Sequence, residues 1–153
     1  MLALAASLLA TVAPAGCLAR TPVEPAPNSW PPARSELAPP GASAIRLCRY
    51  SPLDNHSAPN LVASALVTRP ATIRALASDL DELKRFSGAV FCPNDNGSAI
   101  TLTLGYPSGH SVFIRVGLTG CQAVSNGSVT RTAATSAAGR SLLATIEALT
   151  RTS

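Results

Sequence analysis

Two alternating segments flank Pro107-Ser108-Gly109, and they constrain the fold more than anything else in the chain. Residues 98–106 (SAITLTLGY) place Ile100, Leu102, Leu104 and Tyr106 on one face. Residues 110–118 (HSVFIRVGL) do the same with Val112, Ile114, Val116 and Leu118. A strand turns successive side chains to opposite faces. Three-residue hairpin loops favour a left-handed residue at their end, and Gly109 stands there. Folding about Ser108 pairs Leu104 with Val112, Leu102 with Ile114 and Ile100 with Val116. A slip of one residue would send every apolar side chain to the wrong face, so the register is well specified.

The same reasoning extends along the chain. Residues 44–50 (AIRLCRY) and 61–68 (LVASALVT) read as strands, separated by a loop at 51–60. Residues 70–86 predict a helix, with Pro70 in the first turn, Ile73, Leu76, Leu80 and Leu83 at helical spacing, and Gly88 as terminator. Residues 89–92 (AVFC) resume an extended run. Asn126-Gly127 marks another tight hairpin with Val124 opposite Val129, and residues 137–150 predict a last helix turning Leu142, Ile146 and Leu149 inward. The order β-β-α-β-β-β-β-α predicts an α+β fold, an antiparallel sheet with two helices packed on one face.

The amino terminus reads as an address. Residues 1–16 hold an uncharged apolar run of roughly 12 residues, the length of an export-signal core and short of the ~20 residues a membrane span needs. Two processing routes compete. Ala13-Pro14-Ala15 fits an A-x-A cleavage site that would release Gly16. Ala15-Gly16-Cys17 resembles the end of a lipobox, which would lipidate Cys17, although Pro14 stands where that motif usually has leucine. Residues 17–43 are rich in Pro, Ala and Ser, and predict a disordered tether. The folded domain is expected at 44–153.

Four cysteines in an exported chain point to disulfides, with three pairings open. Extending the hairpin register puts Cys121 opposite Asp95, three residues from Cys92, and selects a Cys92–Cys121 bridge. Lipidation of Cys17 would leave Cys48 as a buried thiol; parity argues against it.

Composition excludes several classes. The formal charge of +4 comes almost wholly from scattered arginines, Lys84 being the only lysine, and aromatics make up only 4%. No basic cluster interleaves with aromatics, so no nucleic-acid partner is expected. No zinc spacing occurs, and residues 93–98 (PNDNGS) lack the acids of a calcium loop; no metal or cofactor is expected. His110 and His56 read as exposed loop residues. With no G-x-S-x-G and no acid near His110 in sequence, no catalytic site is expected. Asn55-His56-Ser57, Asn96-Gly97-Ser98 and Asn126-Gly127-Ser128 match the glycosylation sequon but read as turn chemistry.

The segments LCRY, FCPNDNGS, GYPSGHSVFIRVGLTGC and VSNG resemble a group of small exported proteins of actinobacteria, often lipoproteins, over residues 45 to 150. The resemblance implies a shared fold and an extracytoplasmic home, and no activity. The expectation is therefore a non-enzymatic exported module, anchored to the envelope through a lipid on Cys17 or secreted. It would bind an unknown protein or envelope component, or serve a structural role. The expected partner face is the side of the sheet without helices, with Thr101, Thr103, Phe113 and Arg115. The alternative is a protease-inhibitor-like protein using a rigid loop beside the disulfide, 93–97 or 107–109. A broad exposed Thr/Phe/Arg patch favours the first, a rigid exposed loop the second.

Overall fold

The computed structural model describes residues 14–20, 24–54, 58–87 and 90–151. The predicted export core at 1–13, His56 with the Asn55 sequon, and the predicted terminator Gly88 lie outside the described residues.

Six strands form one antiparallel sheet in the order β2-β1-β3-β4-β5-β6. They are β1 (Ala44–Tyr50), β2 (Leu61–Val67), β3 (Ala99–Gly105), β4 (Ser111–Gly117), β5 (Ala123–Ser125) and β6 (Thr130–Thr132). The β3–β4 register pairs Leu104 with Val112, Leu102 with Ile114 and Ile100 with Val116. Gly109 takes φ +86° at the end of the loop. Strand β1 pairs with β3, setting Ile45 opposite Leu104 and Leu47 opposite Leu102, so both extend the same apolar face.

Helices α1 (Pro70–Asp81) and α2 (Ala137–Leu149) cover that face. Ile73, Leu76 and Leu80 of α1 and Leu142 and Ile146 of α2 join the strand residues in one core. The fold is α+β. Helix α2 starts at Ser136, whose hydroxyl accepts the Gly139 N–H at 3.0 Å, satisfying one of the orphan donors of a helix start. Helix α1 ends at Asp81, short of the predicted 86. The chain then leaves the helix to pair Lys84 with Thr132, the Thr132 N–H donating to the Lys84 carbonyl at 2.9 Å. Leu83 still reaches the core, at 4% exposure.

The β5–β6 hairpin departs from the predicted pairing: Val124 faces Arg131 and Ser125 faces Thr130. The turn spans 126–129 because the Asn126 side chain folds inward. Its Oδ1 accepts the N–H groups of Ser128 (3.0 Å) and Val129 (2.8 Å), and the residue is 1% exposed. Gly127 follows at φ +89°, and a Cβ there would collide with the Ala26 carbonyl.

For the described residues 17–20 and 24–43, the expectation of a disordered tether at 17–43 is corrected by the structure, and with it the domain boundary at 44. Residues 24–43 pack on the fold. Ala33, Leu37 and Ala38 are buried in the core beside the helices. Trp30 meets Tyr106 edge-on at 4.7 Å and stacks on His110 at 4.9 Å. Asn126 Nδ2 donates to the carbonyls of Ala33 (2.9 Å) and Glu36 (3.0 Å). The Tyr106 hydroxyl donates to the Pro39 carbonyl at 2.7 Å, and the Ala38 N–H donates to Asp81 Oδ1 at 3.1 Å. A segment with few apolar residues thus becomes structural because its backbone carbonyls find buried donors, the accounting every buried polar group must satisfy.

Residues 17–20 lie against β1 and β2. The Tyr50 hydroxyl donates to the Leu18 carbonyl at 2.9 Å, and the Leu61 N–H donates to the Ala19 carbonyl at 3.1 Å. Cys17 forms a disulfide with Cys48, Cα–Cα 5.7 Å. The Cys48 thiol expected to be free is bonded, and in this bridge the Cys17 sulfur is not available for the acyl-glyceryl thioether that the lipidation route would place on it.

Candidate functional site

The predicted partner face is largely covered. Thr103 pairs with Phe113 and Thr101 with Arg115, so the four share the face away from the helices. Yet Thr101 is 1% exposed, and Thr103, Phe113 and Arg115 are half-buried. Cys17 is tied to Cys48, the cross-strand neighbour of Thr101, and Glu24, Pro25, Ala26 and Asn28 line a groove with Phe113. The Nε atoms of Arg46 and Arg115 are buried without a hydrogen-bond partner among the described residues. The broad open patch expected there is absent, because the N-terminal segment occupies this side of the sheet.

The loop after α1 is the opposite case. Phe91 is 97% exposed, Val90 47% and Phe86 36%. Together with Pro93 and Gln122 they border a groove of about 540 Å³. Isolated exposed apolar residues need no explanation, whereas a contiguous patch marks a contact surface. Residues 90–98 run without helix, turn or bend. Pro93 locks its own φ, and its ring biases Cys92 toward extended backbone. Among the described residues, Val90, Phe91, Pro93 and Asn94 make no backbone hydrogen bond.

This stretch is pinned at Cys92 and again at Asp95 and Asn96. Cys92 is bonded to Cys121, the pair selected by the hairpin register, with Cα–Cα 4.8 Å. Three and four residues past Cys92, Thr119 Oγ1 donates at 2.9 Å within reach of both Asp95 Oδ1 and Asn96 Oδ1 and accepts the Asn96 N–H at 3.1 Å. Asp95 Oδ1 also accepts the Gly97 N–H (2.8 Å), and Asn96 Oδ1 the Ser98 N–H (3.0 Å). The Asn96 carbonyl accepts the Leu53 N–H at 2.7 Å. Asp95 Oδ1, Asn96 Oδ1 and the Asn96 carbonyl are thereby engaged by protein donors, and no group of three His, Cys, Asp or Glu side chains gathers among the described residues. Behind the bridge, Gln122 takes φ 49° while its backbone bonds Thr119 and Ala133, closing the base of the loop.

His110 stays exposed at the other hairpin end. Its Nδ1 lies 3.0 Å from Ser108 Oγ, with its ring on Trp30. Among the described residues no carboxylate bonds its imidazole, so the pair lacks the third group that orients a catalytic histidine. Sequence reasoning named residues 93–97 but passed over Phe91. Its signal was present: a large apolar residue directly before a cysteine and a proline.

No protein-family model, curated protein or solved structure matches the chain. Among the described residues no helix is long and apolar enough to cross a membrane. Two disulfides, Cys17–Cys48 and Cys92–Cys121, suit an oxidising environment outside the cytoplasm.

Proposed function

We propose that the protein is an exported, non-enzymatic module that binds another protein through residues 90–94. The observation that carries this reading is Phe91, 97% exposed directly beside the Cys92–Cys121 bridge. A large apolar side chain on pinned backbone loses little freedom on binding, and preorganisation of this kind raises affinity without new contacts. The covered state of the Thr101/Phe113 face supports the choice of the loop over the sheet. For location, the Cys17–Cys48 disulfide supports secretion with cleavage after Ala15 over lipid anchoring, since the lipid would need the same sulfur.

The test is site-specific photo-cross-linking in the extracytoplasmic fraction. A benzophenone side chain in place of Phe91 is expected to trap a protein partner, and the same group in place of Phe113 is not. Cross-links from position 113 alone, or from neither position, would overturn the assignment of the loop.

A further inference from the structure

The geometry points to a specific kind of partner: we infer that residues 90–93 enter the active-site cleft of an extracytoplasmic serine endopeptidase as a substrate-like inhibitor, Phe91 filling its apolar primary pocket. This rests on the reading of the loop as the binding surface.

Three features converge. The first is shape and chemistry at one position. Proteases that take an aromatic residue do so in a narrow apolar slot, and Phe91 projects almost wholly into solvent. Burying such a ring is worth roughly 10- to 100-fold in affinity. The second is the backbone. An extended segment with unpaired N–H and C=O groups adds to a partner as a strand, and Val90, Phe91 and Asn94 keep theirs free of partners among the described residues.

The third feature separates an inhibitor from a substrate. Attack by the protease serine on the Phe91 carbonyl would form an ester. The Cys92 nitrogen would leave with the proton taken up by the protease's general base. In an ordinary peptide that amine diffuses away and water hydrolyses the ester. Here the Cys92–Cys121 bridge holds the amine at the point of cleavage, and the Thr119 bonds to Asp95 and Asn96 hold the chain just beyond it. The amine remains positioned to attack the ester and restore the peptide bond, so the complex persists. Seven residues before Phe91, Lys84 pairs with Thr132.

The experiment uses the oxidised full-length exported protein against chymotrypsin, subtilisin and trypsin, with residual activity measured on small chromogenic peptides. Stoichiometric, slowly reversed inhibition of chymotrypsin or subtilisin is expected. Phe91→Gly should weaken it roughly 100-fold, and Phe91→Arg should transfer it to trypsin. Because Phe91 touches so little of the fold, unchanged melting curves will show that both variants remain folded. A Cys92→Ala/Cys121→Ala double variant should become a substrate cut after Phe91. Absence of inhibition, rapid cleavage of the oxidised wild type, or inhibition indifferent to residue 91 would overturn the proposal. Photo-cross-linking from Asn94 distinguishes the two failures: cross-links to a non-protease partner sink the inhibitor alone, whereas none from Asn94 or Phe91 sinks the binding-loop reading as well.

Discussion

Replacing Asn126 by alanine should unfold this protein far more readily than its place in a surface hairpin would indicate. Its amide is 1% exposed and bridges two segments about ninety residues apart. Nδ2 donates to the Ala33 and Glu36 carbonyls, and Oδ1 accepts from Ser128 and Val129. Each such bond contributes about 1 kcal/mol net, and a buried group left without its partner costs about 1–3 kcal/mol. The Ser128 end is exposed and water can replace its bond, whereas the Val129 and Ala33 ends are buried. The loss is therefore expected at roughly 3–5 kcal/mol, a large share of the ~5–15 kcal/mol that domains possess. Urea unfolding of the disulfide-intact variant measures it as a lower midpoint at unchanged slope. Asn126→Asp keeps the acceptor but removes the donor and buries a charge, and should be at least as harmful at neutral pH. A loss for Asn126→Ala below about 1 kcal/mol, typical of a surface site, would refute the argument and detach residues 33–37 from the cooperative unit.

A chain starting at Ala44 should lose cooperative melting or fall well below the full protein in calorimetry, since Ala33, Leu37 and Ala38 leave the core; an unchanged transition would show the segment to be dispensable. Peptide mapping of the oxidised protein should recover Cys17–Cys48 and Cys92–Cys121 with Gly16 as first residue, and Cys17→Ser should cost about 3–4 kcal/mol for a loop of this size. A lipid on Cys17 in mass spectrometry would refute that. Tyr106→Phe should cost about 1 kcal/mol by orphaning the Pro39 carbonyl. Burial, and then the charges of Asp81 and Glu36, raise the Tyr106 phenol above its ordinary value. Its proton leaves the unfolded chain first, so stability is full below about pH 10 and falls as pH rises beyond it. Alkaline urea titration should show a shallower fall in Tyr106→Phe; an equal fall would rule that cause out.

The central β3–β4 hairpin was legible in the sequence because alternation is a local signal, whereas the β5–β6 register was not. Leu104 and Val112 name each other once Gly109 closes the loop, and the same register carries the eye to Cys92 and Cys121. Both helices were legible for the same reason, though Lys84 ends α1 early by pairing with a strand distant in sequence. The segment 24–43 was not legible. It buries Ala33, Leu37, Ala38 and Pro39 with parts of Trp30 and Ala42, at spacings that match no periodicity, and donors on Asn126 and Tyr106 hold its carbonyls. Asn126 itself reads as a turn residue; that its amide points inward depends on which carbonyls pass beneath it. Phe91 shows the same division. Sequence places it before Cys92 and Pro93, but only the packed structure leaves its ring uncovered while closing over Phe113. Local periodicity determined the strands and helices, because it depends on neighbours a few residues away. Which surfaces stay open was decided by contacts across the whole chain.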